Sequence, residues 1–151
     1  MGHAARAYDL VWEYMETEDW ERFRSLFVAE PEMKFQDGSF RGIDPTLAYF
    51  RKVMEMFPDI RHQITAVVEE ADESRMAGWV TAEATATGSR TLFGNEIDVA
   101  GKTLYFEAVD FLFFEEGKIS AWWAMLDLET HIRALGVDVE IRPRPLHGVG
   151  R

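Results

Sequence analysis

The chain has 151 residues, with 27 acidic against 16 basic side chains, a formal charge of −11 and no cysteine. That charge opposes phosphate backbones and anionic membranes, so neither nucleic acid nor membrane is expected as a partner. The lack of cysteine excludes disulfides and thiolate metal sites. Hydrophobic residues at 47% and aromatics at 13% predict a folded, aromatic-rich core and not disorder. The first residues show no apolar signal-peptide core, and no run of about 18 apolar residues exists to span a bilayer. A cytoplasmic location is expected.

Tyr8, Val11, Trp12 and Met15 recur at helical spacing and predict a first helix over residues 3–16. Asp19 is placed to cap a second helix with Trp20, Phe23, Leu26 and Phe27 on one face, ended by Pro31. Met33, Phe35 and Asp37 alternate with polar residues, which predicts a short strand entering an Asp37-Gly38 turn. Asp44-Pro45 reads as an N-cap and first-turn proline. It opens a third helix with Leu47, Phe50, Met54 and Phe57 on one face, closed by Pro58.

From Ile60 the pattern is β-rich. Strands are predicted over 60–69 and 76–87, with an irregular link over 88–101. A hairpin is predicted over 102–114 and 118–126, turning at Glu116-Gly117. A short helix over 128–135 and an extended or mobile tail over 141–151 would complete the chain, the single domain occupying residues 1–140. Helices first and antiparallel strands afterwards predict an α+β fold.

Within the hairpin, Phe106, Ala108, Asp110, Leu112 and Phe114 share one strand face. A carboxylate on such a face must find a partner or take up a proton. Asp110 is therefore either a satisfied buried group that fixes strand register or an acid lining a cavity. The opposite face, with Tyr105, Val109, Phe111 and Phe113, is apolar too, and wants cover from more protein or a second subunit. His62 reads as a strand residue with an ordinary hydrogen bond. No two histidines have metal-ligand spacing, so no metal is expected. The acidic stretch Glu69–Glu73 reads as a solvated turn. No phosphate-binding glycine loop or nucleophile elbow is present.

Four pieces together resemble the SnoaL-like polyketide cyclase family, within the superfamily of nuclear transport factor two and ketosteroid isomerase. They are Phe57-Pro58-Asp59-Ile60-Arg61; the link from Phe93-Gly94 to Gly101-Lys102; Val109-Asp110-Phe111 running into Phe114-Glu115-Glu116-Gly117-Lys118-Ile119; and Trp123 with Asp127 before Ile132-Arg133-Ala134-Leu135-Gly136. The resemblance covers about residues 5–137. It implies a cone-shaped, strongly bent antiparallel sheet wrapped by N-terminal helices around a deep cavity, commonly in a homodimer.

The resemblance also implies roles. Asp110 matches the isomerases' neutral aspartic acid, a hydrogen-bond donor to the substrate oxyanion. Asp37 falls near their general base. Their oxyanion tyrosine on the first helix matches Val11, a departure. The cyclases often carry an aspartate on the last strand where this chain has Ala124. Epoxide hydrolases of the limonene type carry an arginine where this chain has Ala108.

The function so implied is a cofactor-free cyclase or isomerase for a hydrophobic, polyketide-like molecule. Asp110 and Asp37 would be its catalytic groups. Trp12, Phe35, Phe50, Met54, Phe106, Leu112 and Trp122 would wall the cavity, and neither metal nor cofactor is expected. The alternative is a non-catalytic ligand-binding or protein-interaction domain on the same fold.

Overall fold

The computed structural model describes residues 2–36, 38–92, 95–127, 133 and 136. Helices α1 (His3–Glu16) and α2 (Trp20–Ser25) lead into strands β1 (Phe27–Phe35) and β2 (Gly38–Arg41). Helix α3 (Ile43–Met56) follows, then β3 (Arg61–Glu69), β4 (Arg75–Thr85), β5 (Ser89–Leu92), β6 (Asn95–Asp98), β7 (Thr103–Glu115) and β8 (Lys118–Leu126). Six strands form one curved, open sheet in the order β2-β1-β8-β7-β4-β3, and β5 pairs with β6 alone. This is the α+β architecture the sequence predicts. Among the described residues no helix is long and apolar enough to cross a membrane.

Three local expectations need correction. The sheet is antiparallel except where β1 runs parallel to β8. The hairpin with β7 fixes the direction of β8, whereas no turn links β8 to β1, so nothing in the connection imposes the antiparallel sense. Pro31 does not end the second helix; it lies inside β1, where the register against β8 shifts between Phe27 and Glu32. A residue without an N–H is tolerated where the ladder is already interrupted. The link over 88–101 contains a small hairpin, with Ser89 opposite Asp98 and Leu92 opposite Asn95.

Asp19 acts as read: it accepts a hydrogen bond from the Arg22 N–H and caps α2. Asp44 does not. Gly42 takes the N-cap of α3 at φ 102°, a conformation open to glycine. Asp44 and Pro45 both fall inside the first turn of that helix. Residues 93, 94, 128–132, 134, 135 and 137–151 lie outside the described residues, and with them the tail and all of the predicted last helix but Arg133.

The β4–β7–β8 ladders make a long two-faced surface. Met76, Val80, Ala82, Leu112, Ile119 and Trp122 are buried on the inner face under the helices. Trp79, Tyr105, Val109, Phe111, Trp123 and Met125 are exposed on the outer face.

Helix α1 is fastened to β3 at both of its ends. The N–H groups of Gly2 and Ala5 donate to the two carboxylate oxygens of Glu69 at 2.9 and 3.0 Å, and that of His3 to Glu73 at 3.0 Å. The acidic stretch is therefore a helix cap reaching in from a strand end, not a merely solvated turn. Negative charge there also suits the helix dipole. At the other end Glu16 accepts the His62 backbone N–H at 2.6 Å. Glu69→Ala should lower stability by roughly 1–3 kcal/mol, the scale of losing charge-assisted caps. Urea unfolding would show a lower midpoint at unchanged slope. A change no larger than an ordinary surface substitution would mean that the cap contributes nothing.

Candidate active site

Between the inner sheet face and helices α1 and α3 lies a pocket of about 170 Å³, open on one side. Trp12, Phe35, Phe50, Phe106, Asp110 and Trp122 line it, as do Ala108 and Ala124. Met54 and Leu112 do not; both are buried in the core. Leu112 stands between Met76 and Trp122 in the strand ladder, one step beyond Asp110. Asp37 lies outside the described residues, while its neighbour Gln36 lines the pocket.

Asp110 is 1% exposed, and both its oxygens are engaged. Tyr8 Oη donates to Oδ2 at 2.5 Å, and Trp122 Nε1 donates to Oδ1 at 2.8 Å. Burial raises the Asp110 pKa from 3.8 to about 6, with the two hydrogen bonds pulling the other way. Burial likewise raises Tyr8, and the adjacent Asp110 charge adds to it. The Trp12 indole N–H is buried without a hydrogen bond among the described residues.

Sequence reasoning missed Tyr8 and assigned the tyrosine's place to Val11, one turn further along α1. Val11 is wholly buried core. One signal was available in the sequence. Gly78 sits mid-strand in β4, directly opposite Asp110, and glycine inside a strand often marks a close approach. A Cβ on Gly78 would lie 2.4 Å from the Tyr8 ring. The missing side chain is what lets the tyrosine reach across β4 to the carboxyl.

A second polar group was also underread. The His62 ring lines the pocket, stacked on Trp12 with centroids 4.1 Å apart and planes 16° apart. Its Nδ1 lies 3.0 Å from Glu16 Oε1. Burial holds the His62 pKa below the usual imidazole range, although Glu16 opposes the shift. Desolvation raises the Glu16 carboxyl, but the His62 hydrogen bonds and nearby Arg61 outweigh it, leaving a net lowering. Trp12 also meets the Tyr8 and Trp122 rings edge-on at 5.6 and 5.1 Å. One indole thus separates the histidine from the aspartate cluster.

A family model described as SnoaL-like polyketide cyclase matches residues 2–135. No curated protein matches the chain. Among solved structures, a SnoaL-like polyketide cyclase from Agrobacterium tumefaciens aligns with TM-score 0.75 at 20% identity, covering 90% of this chain and 100% of that one. IdmH from Streptomyces antibioticus aligns with TM-score 0.71 at 16% identity, covering 89% and 99%. An LEH-like epoxide hydrolase from M. tuberculosis aligns with TM-score 0.67 at 13% identity, covering 88% and 84%. At these identities the likeness shows a shared fold.

The raised Asp110 pKa makes stability depend on pH. The unfolded chain releases this proton near 3.8 and the folded chain near 6. Between those values the folded state holds the extra proton, so stability falls as pH rises through the window. The full cost above it is roughly 3 kcal/mol. Asp110→Asn has no such proton. Its unfolding free energy should gain on wild type by roughly 3 kcal/mol between about pH 4 and about pH 7 in urea titrations. A wild-type-to-variant difference that is flat with pH would place Asp110 at an ordinary carboxyl value.

Proposed function

The chain belongs to the SnoaL-like polyketide cyclase family, and on that premise we propose a cofactor-free cyclase or isomerase acting on a hydrophobic, polyketide-like small molecule. One observation carries the reading: a buried carboxyl of raised pKa meets a pocket walled by aromatic side chains. A polyketide chain presents carbonyls that polarise neighbouring C–H bonds. Apolar walls hold such a chain folded, with its reacting carbons in contact. An apolar ligand that expels pocket water removes more solvent from Asp110 and raises its pKa further. The neutral acid then donates a hydrogen bond to a carbonyl or developing enolate oxygen, where charge builds in the transition state. Ring closure also needs a group that takes a proton off carbon, the role expected of Asp37.

The pocket is smaller than the roughly 300–1,000 Å³ of drug-sized sites. It would enclose the reacting part of the molecule and leave the remainder at its mouth. Phe50 and Trp122, stacked with ring centroids 5.2 Å apart, would form one wall.

A non-catalytic ligand-binding domain is the second reading. It is favoured by the engagement of both Asp110 oxygens within the protein and by alanine at 124, directly opposite Asp110 on β8. An aromatic ester bearing an unclosed β-diketone chain separates the two. An enzyme would accelerate its aldol closure, Asp110→Ala would lose about 10²–10³-fold, and Asp110→Asn, which still donates, would keep much of the rate. Wild-type binding without acceleration would leave the binding reading.

The exposed outer face suits a second copy of the chain. Trp79, Val109, Phe111, Trp123 and Met125 lie on three adjacent strands and are exposed among the described residues. A lasting dimer would bury at least about 1,200 Å² there. Light scattering at micromolar concentration should return twice the 17.4 kDa of one chain, and Trp123→Glu should return one chain's mass. A wild-type monomer would reject the dimer.

A further inference from the structure

We propose that His62, oriented by Glu16, is a general base of this pocket, taking a proton from a carbon next to a carbonyl; the inference deepens the cyclase reading and rests on it for the identity of the substrate. His62 stands near the start of β3 opposite Ala82, a small residue that leaves the ring free to face the pocket. An ionised carboxylate only accepts hydrogen bonds. Glu16, 3.0 Å from Nδ1, therefore places the ring proton there and leaves a lone pair on Nε2. Nε2 has no hydrogen-bond partner among the described residues. The same Glu16 oxygen also holds the His62 backbone N–H, and the ring lies flat on Trp12. Ring position, tautomer and strand are thus fixed together. Glu16 is a positioning residue; it acts through the imidazole.

Among the described residues few titratable groups stand near His62. Glu16 comes from α1, and Arg61, on β3, acts on Glu16 through its charge. Asp110, on β7, lines the same pocket, with the Trp12 indole between the two clusters. Buried, the imidazole stays neutral near pH 7 and is able to accept a proton.

The step balances without a co-reactant. Nε2 takes the proton, and the C–H electron pair moves into the carbonyl to form an enolate, whose oxygen Asp110 stabilises. The enolate carbon attacks a ketone carbon of the same molecule and forms the ring bond. The imidazolium returns its proton to the new alkoxide.

The probe is 5-nitrobenzisoxazole, a flat apolar molecule that opens when a base removes the one C–H proton of its isoxazole ring. The N–O bond breaks and a coloured nitrophenolate is released. It reports on a pocket base without any assumption about the natural substrate. The full-length protein should open it with saturation, and the rate should rise with pH through one ionisation below that of free imidazole. His62→Ala should lose about 10²-fold or more. His62→Gln, which can still lie on Trp12 and donate to Glu16, should lose as much. Glu16→Gln removes the charge that raises His62, so the midpoint of its pH profile should move to lower pH.

Equal rates in wild type and His62→Gln would overturn the proposal. So would opening no faster than in buffer, because a base that a small flat molecule cannot reach does not serve this pocket. Failure of the cyclase reading would look different. Probe turnover that depends on His62, with no closure of the β-diketone ester, would retire that reading and leave the base in place. Ester closure indifferent to His62 would retire the base alone.

Discussion

The carboxyl of Asp110 is the constraint around which the interior is arranged. A lone carboxylate in an apolar interior costs several kcal/mol, and here it sits near the middle of a sheet under helices. It is tolerated because donors reach it from two other elements, Tyr8 on α1 and Trp122 on β8. Those two bonds fix where α1 lies over the sheet and how the Trp122 indole turns. They also fix what can stand opposite. Gly78 must lack a side chain for the Tyr8 ring to pass. Helix α1 and strands β4, β7 and β8 thus meet around one polar group.

The free volume follows from that arrangement. Small residues, Ala82, Ala108 and Ala124, line the pocket on the sheet side. Large ones, Trp12, Phe50 and Trp122, stand around them and lean on one another edge-on or stacked. Close packing would ordinarily fill such a space. Here the rings brace each other, and the hydrogen bond from Trp122 to Asp110 keeps that ring from turning inward. The polar groups are partitioned as well. The aspartate with its two donors lies on one side of Trp12, and the histidine with its glutamate on the other.

Much of this was legible in the sequence where a single periodicity decides the matter. The bounds of α1, the inward parity of Asp110 and Phe106, and the opposite facing of Trp122 and Trp123 follow from spacings of 3.6 and 2. The roles of Tyr8 and His62 were not legible, because each depends on a partner far along the chain. Tyr8, Val11, Trp12 and Met15 all belong to one helical face, and spacing cannot say which of them meets Asp110, 102 residues from Tyr8. Glu16 and His62 are 46 residues apart, and nothing local to either announces the other. The parallel β1–β8 pair was hidden for a similar reason, since no turn connects them. Pro31 misled because proline beyond the first turn stops a helix but is also admitted to a strand at a break in its ladder.

The double fastening of α1 to β3 makes those two elements a matched pair of rulers. From His3 to Glu16 the helix rises about 20 Å at roughly 1.5 Å per residue. From His62 to Glu69 the strand advances about 23 Å at roughly 3.3 Å per residue. Two different repeats arrive at nearly one length, and only because of that do both carboxylates meet their N–H groups. A residue added within α1 would turn everything beyond it by about 100° and lengthen it by about 1.5 Å. Either the Glu69 cap or the Glu16–His62 contact would then be lost, and Tyr8 or Trp12 would leave the pocket side. A residue added in β3 would reverse the facing of one end and have the same effect. Length variation in this chain is thus confined to the connections; the helix and the strand beneath it can change length only together.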